Sequence, residues 1–158
     1  MNYLFPNKYK KIGWIILVPC ALAGLITVIG EYEPAFLDLN VPAIFINEVF
    51  GKKQFVGVIN NNLLNEILGV LVLISLLLVA FSKEPSEDEY ISKIRLESLV
   101  WAVYVNYGIL LLSFLFIFDL AFYWIMLFNM FTILLFFIIR FNWQISNLSK
   151  SVGYEEQY

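Results

Sequence analysis

Apolar and polar residues follow one another along this chain in long blocks. Four predominantly apolar blocks cover residues 12–30, 63–81, 99–118 and 121–141. A helix needs about 20 such residues to cross a hydrocarbon core of roughly 30 Å. The pattern therefore predicts an all-α fold, an integral membrane four-helix bundle over residues 1–143, followed by a polar cytoplasmic tail at residues 144–158.

A charged segment leads directly into the third apolar block. Ser86, followed three residues later by Glu89, is a capping-box pattern, and Pro85 disfavours helix before it. Residues 99–118 carry no charge. The pattern predicts one continuous helix that begins near Ser86 as a charged helix and ends as a membrane span.

Small and polar side chains recur along this helix at the spacing of a single face. At about 100° per residue, that face holds Arg95, Ser98, Ala102, Asn106 and Ser113. Lipid cannot satisfy an amide or a guanidinium, so the stripe is expected to face other helices. Interhelical packing is the favoured explanation, and a ligand or ion path is the alternative.

The third and fourth blocks are separated by a very short turn at Asp119, which predicts an antiparallel helical hairpin. On the fourth helix, Asn129, Thr132 and Arg140 share a face. These residues are therefore expected to face the third helix.

Counting outward from the turn aligns positions on the two helices of this hairpin. Asn106 comes level with Thr132, which predicts an amide–hydroxyl contact inside the membrane. Glu97 comes near Arg140, which predicts an ion pair at the cytoplasmic rim, where Arg95 also lies.

The second block opens with polar residues, and Glu66 lies about one turn inside it, on the same face as Asn62. An ionisable residue within a span is a functional-site hypothesis by default. Alternatively, Glu66 stays near the interface, hydrated or paired with Lys52 or Lys53.

Residues 31–62 form the longest connection. Asn40 and Pro42 resemble a helix start, and Gly51 resembles its stop. The apolar residues 43–50 between them are too few to span a membrane. The pattern predicts a short interfacial helix within an extracytoplasmic loop.

Composition narrows the chemistry. The chain is 61% hydrophobic with a mean hydropathy of +0.79, it contains no histidine, and its net charge is −3. Without histidine it lacks the commonest general base and metal ligand. The single cysteine, Cys20, lies in an apolar block and is expected to be a packing residue. No phosphate-binding loop, CxxC or HExxH motif occurs, so no catalytic residue, cofactor, metal or nucleic-acid partner is predicted.

Basic residues predict the orientation. In a four-span arrangement, Lys52 and Lys53 lie on one side, and the other eight lie on the opposite side. Because Lys and Arg concentrate on the cytoplasmic side, both termini are expected in the cytoplasm.

Two strings, residues 95–107 (RLESLVWAVYVNY) and 140–143 (RFNW), resemble those of small four-helix inner-membrane proteins of Bacteroidota-type bacteria. The resemblance covers roughly residues 84–143. It implies four helices in a bacterial inner membrane, and it implies no activity, because that group has none assigned.

Three functional hypotheses follow. The first is an interaction protein, an accessory or regulatory membrane subunit without intrinsic catalysis, with a protein partner or self-association as its expected contact besides the bilayer. The second is a homo-oligomeric pore lined by Glu66, Asn62, Asn106 and Asn129. The third is a small membrane enzyme that acts on a lipid or a quinone.

Overall fold

The structure, a computed structural model, describes residues 3–46 and 54–155. Within these residues the helices are α1 (Lys8–Gly30), α2 (Leu64–Ala80), α3 (Glu89–Phe116) and α4 (Asp119–Glu155). A short 3-10 turn at Ala35–Leu37 precedes strands β1 (Asp38–Ile46) and β2 (Gln54–Asn62). Helices α1, α3 and α4 are long and apolar enough to span a membrane, whereas α2 is apolar but has 17 residues.

The chain divides into two compact units. Met1–Ile15 with Leu73–Tyr158 form one, which we call the helical unit, and Ile16–Val72 form the other, the hairpin unit. Helices α1 and α2 contribute residues to both units.

Helices α3 and α4 form the predicted antiparallel hairpin. Two residues, Ile117 and Phe118, connect them, and Asp119 takes a φ of 59°. Aspartate tolerates this left-handed conformation better than most residues. Close to the turn, Phe114 and Phe122 pack with their ring centres 4.6 Å apart, while far from it Ser98 bonds to Gln144.

The α3 stripe is buried, and over the uncharged residues 99–116 of the same helix the exposed side chains are apolar or aromatic. Arg95, Ser98, Ala102, Asn106 and Ser113 are all buried, whereas Leu111 and Phe116 are 61% and 75% exposed. A water-soluble helix shows the reverse distribution. The inverted pattern, together with the three long apolar helices, is that of a membrane protein.

The start of α3 differs from the capping-box prediction. The N-cap is Asp88, whose Oδ1 accepts a hydrogen bond from the Ile91 backbone N–H at 2.8 Å. Glu87 accepts a bond from the Glu84 backbone N–H, so this stretch forms a turn instead of the first helical residues. Ser86 therefore lies outside the helix.

Close packing holds the first turns of α1 against the second half of α2 within the helical unit. A Cβ atom built on Gly13 would lie 2.7 Å from Val79 Cγ2 and 3.1 Å from the Ser75 carbonyl oxygen. Only glycine permits so close an approach of the two backbones.

The prediction of a short interfacial helix was wrong over residues 43–46, because residues 38–46 and 54–62 form an antiparallel β-hairpin. Val41 pairs with Ile59, and Ile44 pairs with Val56. The first half of the expected helix, residues 43–46, lies in β1, and residues 47–50 lie outside the described residues. β-Branched residues are frequent in both strands and favour this geometry. The fold is therefore mostly helical but not all-α.

The polar segment after residue 143 is also helical. Helix α4 continues past the predicted end of the fourth span at Phe141 as far as Glu155. The predicted tail is thus, over residues 144–155, an extension of α4.

Candidate functional site

The most buried charge in the helical unit is that of Arg95, which is 3% exposed. Its Nη2 lies 2.9 Å from Glu87 Oε2 in a salt bridge, and its Nη1 donates to the Ala80 carbonyl oxygen at 3.1 Å. Ala80 ends α2, where carbonyl groups lack partners within the helix. The guanidinium also lies 4.4 Å from the centre of the Phe141 ring.

A second ion pair lies beside the first. Lys10 forms a salt bridge with Glu84 and donates to Asn142 Oδ1 at 2.9 Å. Its Nζ is 5.8 Å from the centre of the Phe141 ring, so this ring contacts two cations. We call the six residues the Arg95 cluster: Lys10, Glu84, Glu87, Arg95, Phe141 and Asn142. Its two cations and two anions balance, and it joins α1, α3, α4 and the α2–α3 connection.

Asn106 and Thr132 make the contact that alignment of the two helices predicted. Thr132 Oγ1 donates to Asn106 Oδ1 at 2.6 Å, and Asn129 Nδ2 lies 3.3 Å from the same oxygen. Asn106 is 3% exposed. These bonds join α3 to α4 within the apolar segments, where an unsatisfied amide would be costly.

Asn62 and Glu66 belong to the hairpin unit, so the structure does not bring them together with Asn106 in one compact unit. Asn62 Nδ2 donates to Asp38 Oδ1 and to the Pro34 carbonyl oxygen at 2.7 and 2.8 Å, and its Oδ1 accepts from the Leu64 backbone N–H. Asn62 therefore fixes the junction between β2 and α2.

Glu66 lies in the first turn of α2 and is exposed. It accepts a bond from Asn61 Nδ2 at 2.7 Å. A carboxylate in the first helical turn also interacts favourably with the helix dipole. Lys52 and Lys53, its predicted alternative partners, lie outside the described residues.

The predicted ion pair at the rim was wrong. Among the described residues, Glu97 and Arg140 form no salt bridge with each other. The guanidinium of Arg140 stacks on Trp101, 4.6 Å from its ring centre, and Arg140 Nε is buried without a hydrogen-bond partner. Arg95 lies two positions from Glu97, about 200° around the helix, and pairs with Glu87 instead.

A groove of about 490 Å³ runs between the start of α3 and the polar extension of α4. We call it the α3–α4 groove. Eight residues line it: Tyr90, Lys93, Ile94, Glu97, Trp143, Gln144, Asn147 and Leu148. At one wall, Lys93 and Glu97 are exposed and lie one turn apart, and within the described part of the chain neither forms a salt bridge.

Sequence reasoning missed Lys10, Glu84 and Asn142 because no local pattern joins positions 74 or 132 residues apart. It also missed Glu87 as a partner for Arg95. The signal for Glu87 was present, since a guanidinium on a buried stripe needs an anion, and the nearest acids are at positions 87–89 and 97.

The described residues contain no group of three or more His, Cys, Asp or Glu side chains that could hold a metal ion. No protein-family model matches the chain, and the comparisons with curated proteins and with solved structures gave no match.

Proposed function

We propose that this chain is a multi-pass membrane interaction protein, an accessory or regulatory subunit that binds a partner protein through its β-hairpin. The observation that carries the proposal is an exposed apolar patch on one face of the hairpin. Ile44, Val56 and Val58 are 73%, 73% and 69% exposed. Ile44 pairs with Val56, and Val58 pairs with Pro42, so these side chains are neighbours.

Such a patch is unusual for a surface that stays free. An isolated two-stranded hairpin is marginally stable in water, and contiguous exposed apolar residues mark contact sites. Hydrogen bonds hold the base of the hairpin in place, because Asn62 donates to Asp38 and to the Pro34 carbonyl oxygen. A well-anchored hairpin that displays an apolar face supports a docking role.

The acids at the start of α3 are less suitable for partner binding than the hairpin. Glu87 is engaged with Arg95, and Asp88 caps α3. Their substitution would damage the fold of this chain before it tested any partner. The side chains of the hairpin patch are instead exposed and apolar, so they can be replaced without breaking those two contacts.

The proposal includes a membrane topology. All four helices cross a bacterial inner membrane, both termini lie in the cytoplasm, and the hairpin lies outside. The excess of Lys and Arg on the terminal side supports this orientation. The resemblance of residues 84–143 to Bacteroidota-type membrane proteins supports the same membrane.

The proposal is tested by Val58→Asp, which places a charge in the apolar patch. We expect at least a roughly tenfold loss of the protein that co-purifies stoichiometrically with the chain from its native membrane, because a buried unpaired charge opposes docking. Asn60→Asp is the matched control, since it adds the same charge on the same face outside the patch. Equal recovery of the partner with both variants would contradict the proposal.

No observation on the described residues favours the pore or the lipid enzyme. Asn106 and Asn129, two of the predicted pore-lining residues, contact each other, and Thr132 donates to Asn106. Both hypotheses stay predictions.

A further inference from the structure

Arg140 carries a charge for which the described residues supply no anion. Its guanidinium stacks on Trp101, yet among the described residues it has neither a salt bridge nor a hydrogen bond. Glu97, one turn before Trp101 on α3, is exposed and likewise lacks a salt bridge in the described part of the chain. A cation on the Trp101 ring and an anion one helical turn away thus both lack a salt-bridge partner among the described residues.

The two charges lie at different depths. Arg140 lies within the apolar segment that ends at Phe141, whereas Glu97 precedes the first residue of the uncharged stretch, Leu99. With the uncharged stretch taken as the part that spans the hydrocarbon, Glu97 lies about 3 Å outside it at 1.5 Å per residue. Because arginine extends its head toward the interface, we infer that its guanidinium lies at the level of the lipid phosphates. Glu97 then lies on the outer side of that level.

A lipid headgroup with a phosphate and a primary ammonium matches this order. In such a lipid the phosphate adjoins the glycerol, and the ammonium follows it farther from the hydrocarbon. We propose that this surface of α3 and α4 binds the headgroup of phosphatidylethanolamine, with the phosphate at Arg140 and the ammonium at Glu97. Guanidinium–phosphate and ammonium–carboxylate hydrogen bonds are both charge-assisted.

Trp143 supplies a further contact for the ammonium. It lines the α3–α4 groove together with Glu97, and it is 60% exposed. An ammonium over an indole ring gains cation–π attraction. Gln144, whose Oε1 accepts a bond from Ser98, is held in the same groove. The ammonium end of the proposed site therefore lies in the α3–α4 groove, while Arg140 lies beyond its lining.

Anionic and quaternary headgroups fit the site less well. Phosphatidylglycerol would place a hydroxyl-bearing group beside Glu97 and would lack the ammonium. Phosphatidylcholine carries a quaternary ammonium, which has no N–H to donate to the carboxylate. The site is thus expected to discriminate among lipids that share the same phosphate.

The test is native mass spectrometry of the purified full chain released from nanodiscs that contain phosphatidylethanolamine, phosphatidylglycerol and phosphatidylcholine in equal amounts. The wild-type chain is expected to retain phosphatidylethanolamine about threefold to tenfold over either other lipid. Glu97→Gln should remove this preference, and Glu97→Lys should turn it toward phosphatidylglycerol. Because Glu97 is exposed, both variants are expected to fold.

Controls separate the site from general surface charge and from soluble ligands. Glu89→Gln makes the same charge change on α3 outside the groove and should keep the wild-type preference. Arg140→Gln should lower retention of all three lipids, and Lys83→Gln should not.

Added glycerophosphoethanolamine should fail to displace the lipid, since it lacks the acyl chains that hold the headgroup at this depth. Equal retention of the three lipids by the wild-type chain, an unchanged preference in Glu97→Lys, or displacement by the soluble headgroup would overturn the proposal.

Discussion

At the scale of residues, Arg95 and Glu87 form a largely buried salt bridge in the helical unit. The Arg95 side chain is 4% exposed and that of Glu87 is 15% exposed, so little water compensates either charge. Desolvation makes such a pair a modest net contributor, but it makes each member costly without the other. The backbone bond from Arg95 to Ala80 adds a donor that would also be lost.

The losses from replacing each member alone should therefore not add up in the double variant. We expect Arg95→Met and Glu87→Gln each to lower the free energy of unfolding by about 3 kcal/mol, since each leaves a buried charge unpaired. The double variant should lose clearly less than the sum of the single losses. Reversible unfolding in one detergent measures all three, with the exposed pair Lys83→Met and Glu89→Gln as controls within about 0.5 kcal/mol. Additive losses for Arg95 and Glu87 would show that the two side chains are not coupled.

The stripe containing Arg95 could be predicted because helical geometry alone fixes which side chains share a face. The need of Arg95 for an anion could also be predicted, but the choice of Glu87 among the nearby acids could not, because it depends on how the α2–α3 connection turns. Glu97 and Arg140 illustrate the same limit. Counting from the turn placed them close to one level, but it could not predict that Arg140 stacks on Trp101, one helical turn from Glu97.

At the scale of elements, the lengths of the apolar blocks predicted the four helices. The β-hairpin could not be predicted in this way, because no sustained alternation of apolar and polar residues marks its strands. Val41 and Ala43 lie on one face and Pro42 and Ile44 on the other, as their pairing partners show. Because both faces are apolar, the two-residue period that marks a half-buried strand disappears. Pro42 then resembled the first residue of a helix, although proline also fits an edge strand.

The contact between α1 and α2 gives a prediction at this scale. Gly13→Val should lower the free energy of unfolding by about 1–3 kcal/mol, because its side chain would meet Val79 and the Ser75 backbone oxygen. Gly24→Ala is the matched control on the same helix. Nothing lies within 4 Å of its added Cβ, so it should be neutral or stabilise by up to about 1 kcal/mol. Thermal unfolding of both variants measures the difference, and an equal effect would exclude close packing at Gly13.

At the scale of the whole molecule, the length of α2 bears on how often the chain crosses the bilayer. Helix α2 has 17 residues, or about 26 Å of length, against a hydrocarbon core of roughly 30 Å. A deficit of this size is met by local thinning of the bilayer at a modest cost. The asymmetry of Lys and Arg favours a crossing, because without it the basic residues after α2 would share a side with the hairpin.

The single native cysteine makes this topology directly measurable. In a Cys20→Ser background, Glu33→Cys should react with a membrane-impermeant maleimide in intact cells, because residue 33 lies outside in the proposed arrangement. Lys83→Cys, at an exposed position just after α2, should react only after the membrane is permeabilised. If Lys83→Cys reacts in intact cells together with Glu33→Cys, α2 does not cross. In that case α3 and α4 would have the opposite orientation, and the three long helices alone would span the membrane.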